Sequence, residues 1–292
     1  MAREKYRFNT PAGRVFDVFN VALLTAIGIL ALLPFIYVVA GSFATESELA
    51  TRSFFIWPET FSLRAYESIF TSSAFVRAII TTVLVTAAGT AIQLLLTASM
   101  AYPLSKSNLP GRRIMMSLIV FTLVFSGGMI PTFLVVKDLG LLDTYWALIL
   151  PAAINPFSLI IIKNFFQQLP AELEESAKID GANELQTLWS VILPLSKPVL
   201  ATFALFYAVG IWNDFMSPLL YLNDSSMWTL QMFLRQVTVA TDLSIVETDP
   251  GQLPPAQGIK FAVIVVATLP MLIFYPFLQK HFAKGMLIGS VK

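Results

Sequence analysis

Six long apolar stretches constrain the fold of this chain more than any other feature. About 20 apolar residues in a helix cross the ~30 Å hydrocarbon core of a membrane. Lipid cannot satisfy the open edges of a sheet, and the strict two-residue alternation of a barrel is absent, so helices are expected. The chain is predicted to be an all-α membrane protein with six transmembrane helices. The stretches span residues 18–40, 78–105, 114–136, 145–162, 200–222 and 261–278.

Composition supports lipid as the solvent of this chain. Hydrophobic residues make up 56% of the 292 residues and charged residues 13%, about half the charged fraction of a typical soluble domain. The net charge of +1 leaves no basic surface for nucleic acid. The absence of cysteine excludes disulfides, thiolate zinc sites and cysteine nucleophiles, and the single histidine, His281, excludes a site built from several histidines. The first stretch is longer than the apolar core of a signal peptide and is interpreted as a retained anchor.

The distribution of Lys and Arg predicts the orientation in the membrane. With the N-terminus in the cytoplasm, 13 of the 19 basic residues lie in the inner segments. Both termini are therefore expected in the cytoplasm. The six basic residues left outside are Arg52, Arg64, Arg77, Lys137, Arg235 and Lys260.

Two outer loops are long, at residues 41–73 and 223–258. The second mixes apolar and polar residues at helical spacing over residues 228–239, which predicts a short helix on the outer face or in the path of a solute. It ends in a turn-rich stretch from Asp249 to Pro255. A solvated connector is the alternative for this loop.

The inner loop between the fourth and fifth stretches, residues 170–198, predicts two short helices joined by a tight turn. These two helices and the turn between them are here called the elbow. Pro170 suits a helix start, and the acidic residues after it favour the positive end of the helix dipole. Gly181 suits the left-handed end of the first helix. In the second helix Leu185, Leu188 and Val191 are predicted to share one face, and Pro194 and Pro198 end the loop. The elbow either rests on the membrane surface or docks into a groove of a cytosolic partner.

A long motif in this loop resembles the EAA loop of ABC importer permeases. The spacing matches that family without gaps; Ser176, Leu188 and Val191 are mild departures that add no bulk at the turn. The resemblance implies that eight residues couple this chain to a partner ATPase. They are Glu175, Ser176, Ala177, Asp180, Gly181, Ala182, Leu185 and Leu188.

The resemblance extends over nearly the whole chain. Residues 212–219 are similar to a Trp-Asn-x-Phe run of sugar permeases, and residues 279–292 resemble their C-terminal signature. The chain is thus similar to carbohydrate importers of the maltose-permease type, closest to the branch for oligo- and polysaccharides such as alginate. This implies the type I ABC importer permease fold, with a first segment at 1–72, a transmembrane domain at 73–279 and a tail at 280–292.

The family implies a division of labour among subunits. This chain has no phosphate-binding loop of its own, so ATP and Mg are expected on a separate ATPase, with no cofactor bound by the permease. The expected partners are a second homologous permease, two ATPase subunits, a periplasmic solute-binding protein and membrane lipid. The resemblance thus implies a bacterial inner membrane permease without enzymatic activity.

The fifth stretch holds the candidates for the substrate path. An ionisable group inside a span is a functional hypothesis by default, which singles out Asp214, with Asn213 as a further hydrogen-bonding group and Trp212 as a stacking face. A position of Asp214 near the outer rim is the alternative.

Two other functional classes fit the sequence less well. An ion-coupled secondary transporter needs several intramembrane carboxylates or an internal repeat, and it leaves the elbow unexplained. An intramembrane enzyme lacks a His pair, a cysteine or an acid pair within the spans.

Overall fold

The computed structural model describes residues 11–244 and 257–285. All regular elements in these ranges are helices, so the predicted all-α fold is confirmed. The chain divides into two compact units, residues 1–71 with 237–266 and residues 72–236 with 267–292. The stretch from Asp249 to Pro255 and the last seven residues of the predicted tail lie outside the described residues.

The first unit is built on a long N-terminal helix. Its helices are α1 (Pro11–Ser42), α2 (Glu46–Thr51) and α3 (Arg64–Thr71). Glu48 fixes the segment after α2, because its carboxylate accepts the backbone N–H of Glu59 at 2.9 Å and the guanidinium of Arg52 at 2.6 Å. These bonds lower the pKa of Glu48, the bond from Glu59 most strongly.

The second unit is organised around one long helix, α4, which packs against α8 and α12. Their facing side chains, among them Ile162, Phe166 and Phe203, form a buried core. The helices before the elbow are α4 (Ser73–Ser105), α5 (Arg112–Val124), α6 (Met129–Asp138), α7 (Trp146–Ile149) and α8 (Pro156–Gln167). The elements after these are α9 (Ala171–Ile179), α10 (Glu184–Thr187), a π-helical turn (Leu188–Ile192), α11 (Leu193–Leu195), α12 (Lys197–Trp212), α13 (Met216–Tyr221) and α14 (Leu230–Ser244). The last helix, α15 (Gln257–Gly285), runs through both units.

Among the described residues, two helices are by themselves long and apolar enough to cross a membrane, Gly13–Ser42 and Ser73–Ser105. Two bent helix pairs raise this number to four if each pair is one span. Within α15, residues Gln257–Ile273 form a shorter apolar helix. The count of six spans therefore stays a prediction.

Three predicted continuous spans are interrupted in the structure. The third bends by 116° between α5 and α6, where Gly128 takes a positive φ of 87°. The fourth is broken between α7 and α8, where the Asn155 side chain accepts the backbone N–H of Ser158 at 3.0 Å and starts α8 afresh. The fifth ends at Trp212 and resumes at Met216. Local turn and cap chemistry thus interrupts stretches that the sequence presents as continuous, largely apolar spans.

The loop at 223–258 contains the predicted helix. Residues 230–244 form α14, which begins two residues later than predicted and extends past Val239. The backbone N–H of Leu230 donates to Thr82 Oγ1 at 2.7 Å, which ties the start of α14 to α4.

Candidate functional site

The first half of the elbow forms as the sequence predicts. Helix α9 begins directly after Pro170 and carries Glu172 and Glu174 in its first turn. It ends at Ile179 with Asp180 as its C-cap, and Gly181 has a φ of +83°. A Cβ added at Gly181 would meet no atom within 4 Å, so the glycine is needed for its backbone conformation and not to avoid a clash within this chain.

A capping box restarts the helix after the turn. The Asn183 side chain accepts the backbone N–H of Gln186, and the Gln186 side chain accepts the backbone N–H of Asn183, both at 2.8 Å. This reciprocal pair satisfies two N–H groups that a helix start leaves open. The turn between α9 and α10 is therefore defined by local bonds on both sides.

Most predicted coupling residues lie on the exposed surface of the elbow. Glu175, Ser176, Asp180 and Gly181 are exposed, and Ala177 and Ala182 are partly so. Two apolar side chains protrude next to them: Ile179 is 86% exposed and Leu185 64% exposed. The elbow thus exposes two large apolar side chains in the same short segment as several carboxylates.

The position of Leu188 differs from the one predicted for the second helix. Leu188 is 4% exposed and belongs to the core, whereas Leu185 faces outward. The predicted common face of Leu185, Leu188 and Val191 is wrong because Leu188 packs into the core while Leu185 stays exposed. From Leu188 the chain continues as a π-helical turn, which changes the angular spacing to Val191. Leu188 anchors the elbow in the core and does not contribute to its exposed surface.

Side chains from both helices of the elbow contact the C-terminal end of α4. Lys106 forms an ion pair with Glu174 of α9. Tyr102 donates its hydroxyl to Glu184 of α10 at 2.8 Å, and Glu184 also pairs with Lys178 at 2.6 Å. We call this set of five side chains the anchor.

Two anchor residues outside the span, Glu184 and Lys106, have shifted pKa values. The ion pair with Lys178 and the hydrogen bond from Tyr102 hold the pKa of Glu184 below its ordinary value. Burial lowers the pKa of Lys106, and the charge of Glu184 opposes this shift. Glu184 therefore remains ionised at neutral pH, as its interactions with Lys178 and Tyr102 require.

Two further hydrogen bonds satisfy carbonyl groups at the C-terminal end of α4. The last carbonyl groups of a helix have no partner within the helix. Gln167 Nε2 donates to the carbonyl oxygen of Ser105 at 3.1 Å, and Arg112 Nε donates to that of Leu104 at 2.8 Å. The end of α4 is thus bonded to the end of α8 and to the start of α5 as well as to the elbow.

The same unit contains a cavity of about 480 Å³ between α4, α7, α8 and α12. Four aromatic rings line it together with amide, hydroxyl and carboxylate groups. Ligand pockets of this kind combine an apolar wall with a few polar groups that fix orientation. The lining residues are Gln93, Leu148, Ala152, Asn155, Phe157, Ser158, Phe203, Phe206, Tyr207, Gly210, Ile211 and Asp214.

Asp214 is the charged group of the cavity lining and is half-buried. Its Oδ1 accepts the backbone N–H of Ser217 at 3.1 Å, so one carboxylate oxygen supports the start of α13. A carboxylate has about four acceptor positions, which leaves capacity for hydroxyl donors of a ligand. The cavity can therefore bind a polyhydroxylated molecule by hydrogen bonds and by contact with aromatic faces.

The other two residues predicted for the substrate path do not line this cavity. Trp212 is 6% exposed, and its indole N–H donates to the carbonyl oxygen of Ala267 at 3.0 Å, so the ring packs against α15. Asn213 is exposed and donates to the carbonyl oxygen of Val209 at 2.9 Å. Because α12 ends at Trp212, three consecutive residues point in different directions, and only Asp214 reaches the cavity.

The sequence did not predict the other polar side chains that line the cavity with Asp214. Gln93, Asn155, Ser158 and Tyr207 come from three separate stretches of the chain. The sequence does give a partial indication for Gln93 and Asn155. An amide side chain inside an apolar span costs free energy unless it has a function or a hydrogen-bond partner. Within the described residues, no group of three or more His, Cys, Asp or Glu side chains is arranged to hold a metal ion.

Comparisons with known proteins identify the class of protein that these features define. A model of the family described as "Binding-protein-dependent transport system inner membrane component" matches residues 93–288, which include the elbow and the cavity. The chain belongs to this family. The predicted resemblance to ABC importer permeases and the predicted fold class are thereby confirmed.

Two curated relatives from Bacillus subtilis (strain 168) are similar over their full length. Protein LplC is 64% identical over 294 residues, covering 100% of both chains. The polygalacturonan/rhamnogalacturonan transport system permease protein YtcP is 54% identical over 284 residues, covering 96% of this chain and 99% of the relative. A solved structure, a bacterial ABC transporter involved in the import of the acidic polysaccharide alginate, matches with a TM-score of 0.86 at 33% identity, covering 94% of this chain and 99% of that one.

Proposed function

We propose that this chain is the permease subunit of an ATP-driven carbohydrate importer, with an oligo- or polysaccharide as its substrate. The relatives named above support the substrate class, because one carries the name of a polygalacturonan/rhamnogalacturonan transport system permease and another is a transporter involved in the import of alginate. The observation that carries the proposal is the exposed elbow, which a solute pathway alone does not require.

The surface of the elbow supports docking onto an ATPase. Exposed large apolar side chains on a water-facing loop mark an interaction site when they cluster. Ile179 at the end of α9 and Leu185 in α10 lie on either side of the turn and are both exposed, and Glu172 and Glu175 are exposed on the same helix as Ile179. This arrangement fits a groove with an apolar floor and a basic rim, as in helix-in-groove recognition. Glu175 is the candidate for a charge-assisted contact with an Arg or Lys of the ATPase.

The remaining subunits follow from the family and from the number of spans. The sequence has no internal repeat of its predicted spans, so a second homologous permease supplies the other half of the pathway. Two ATPase subunits bind ATP and Mg, and a periplasmic solute-binding protein delivers the substrate. The chain lies in the bacterial inner membrane with both termini in the cytoplasm, which places the elbow on the side of the ATPase.

The mechanism that follows is alternating access. ATP binding closes the ATPase pair, the elbow moves with it, and the helices around the cavity change from an inward-open to an outward-open arrangement. The sugar must bind the two arrangements with different affinity for this coupling to exist. The Asp214 carboxylate and the aromatic rings of the cavity supply the contacts that change.

Co-purification of the ATPase tests the docking surface. With the tagged wild-type chain, the ATPase subunit of the complete transporter is expected to remain bound through purification from membranes. Ile179→Glu places a charge in the apolar contact and is expected to release most of the ATPase, whereas Ile179→Val keeps it. Equal retention of the ATPase by Ile179→Glu and by the wild type would contradict docking through this surface.

A further inference from the structure

We infer that α4 is the lever that carries movement of the elbow to the cavity, and that the anchor is the joint between them. The inference rests on the proposed docking of the elbow to an ATPase. It assigns to Lys106, Tyr102, Glu174 and Glu184 a positioning role in transport.

The anchor connects both helices of the elbow to one end of one helix. Glu174 belongs to α9 and Glu184 to α10, and their partners Lys106 and Tyr102 lie at the end of α4. The side chains of Lys106 and Glu174 are only 21% and 19% exposed, so solvent and salt screen their attraction weakly. Lys106 Nζ also lies 4.3 Å from the centre of the Tyr102 ring. The two helices of the elbow therefore move with α4 as long as these contacts persist.

The covalent connection from the elbow to α12 transmits movement poorly by comparison. It passes through the π-helical turn and then bends by 84° before Lys197. Bends and irregular turns absorb displacement because their dihedral angles change at little cost. In contrast, α4 is continuous from Ser73 to Ser105.

Helix α4 reaches the cavity directly. Gln93 lines the cavity nine residues before Tyr102, roughly 14 Å along the helix axis. Between them, Thr97 shares a hydrogen bond of 3.0 Å with the hydroxyl of Tyr207, which lines the cavity from α12. A displacement of the end of α4 thus reaches two walls of the cavity through buried groups.

Charge exchange within the anchor tests this inference in proteoliposomes that hold the complete transporter. Lys106→Glu and Glu174→Lys each place two like charges together and are expected to lower the sugar transported per ATP hydrolysed by about tenfold or more, with the ATPase still bound. The double variant Lys106→Glu/Glu174→Lys restores opposite charges between these two positions but leaves Glu184 facing a like charge at position 106, so it is expected to recover part of the transport per ATP and to exceed each single variant by about threefold or more. Arg113→Glu is the matched control, since Arg113 is exposed and has no ion pair among the described residues; its transport per ATP should stay unchanged.

A cross-link tests whether the joint stays closed during transport. The chain contains no cysteine, so Lys106→Cys/Glu174→Cys introduces a unique pair that a short bis-maleimide joins when the partner subunits are cysteine-free. The unlinked pair is expected to transport poorly per ATP, and linking is expected to restore transport. The cysteine pair still tests the inference if the charge-reversal variants fail to assemble.

Three results would overturn the inference: normal transport per ATP in both single reversals, a double variant as poor as the singles, or transport that the cross-link blocks. Failure of the proposed docking gives a different result in the co-purification experiment. The ATPase would then either dissociate from the wild-type chain or remain bound equally to the wild type and to Ile179→Glu. If the anchor has no role in transport, the charge-reversal variants keep the ATPase bound and transport a normal amount of sugar per ATP.

Discussion

Gly181→Leu is expected to abolish the stimulation of ATP hydrolysis by substrate while leaving membrane insertion intact. The φ of +83° at this position costs a residue with a side chain about 1–2 kcal/mol. The chain itself has room for the new side chain, since a Cβ there meets no atom within 4 Å. The leucine therefore distorts the turn and protrudes toward the docked ATPase. ATP hydrolysis by the reconstituted transporter, with and without substrate-loaded binding protein, measures the effect.

Two control variants separate the turn from general backbone strain. Gly140 also has a left-handed backbone, with a φ of +68°, and equal space around a Cβ. Gly140→Leu should therefore keep stimulation if the effect at Gly181 depends on its place in the elbow. Gly181→Asn should keep part of it, because Asn tolerates the left-handed region. Stimulation at the wild-type level in Gly181→Leu would refute the docking role of the elbow.

Asp214→Asn is expected to lower sugar uptake by about tenfold or more without releasing the ATPase. A hydrogen bond to a charged group contributes about 1.5–3 kcal/mol, which corresponds to roughly 10- to 100-fold in affinity. The amide oxygen of Asn can still accept the backbone N–H of Ser217, so the start of α13 is preserved. Initial rates of uptake over a range of sugar concentrations measure the change.

The neighbouring residues provide the controls for Asp214. Asn213→Ala alters an exposed side chain that does not line the cavity, and uptake should remain near the wild-type rate. Asp214→Ala removes both the charge and the bond to Ser217 and should reduce uptake further than Asp214→Asn. If Asp214→Asn matched the wild type in rate and in apparent affinity, Asp214 would not contact the sugar.

The sequence predicted those parts of the site that local chemistry determines. The start of α9 after Pro170 and the left-handed Gly181 depend on residues within a few positions of each other, and both formed as expected. The apolar stretches likewise predicted the long helices α1 and α4. Patterns of this kind need no knowledge of the neighbouring helices.

Tertiary packing determined the parts that the sequence did not predict. The indole of Trp212 satisfies its N–H on α15, and Leu188 faces the core from a π-helical turn. Neither contact leaves a periodic signal in the sequence. The breaks in the spans had local causes, at Gly128 and Asn155, that an average over a long apolar window conceals. The anchor joins residues more than 65 positions apart, from Lys106 to Glu174, and only the structure brings them together.

Sugar uptake into proteoliposomes, measured with and without the ATPase subunits, tests the central claim most directly. We expect ATP-dependent uptake by the complete transporter, and no uptake when both permeases and the binding protein are reconstituted without the ATPase. An imposed proton or sodium gradient should not replace ATP. Accumulation of sugar in vesicles that lack the ATPase, with or without such a gradient, would contradict the account.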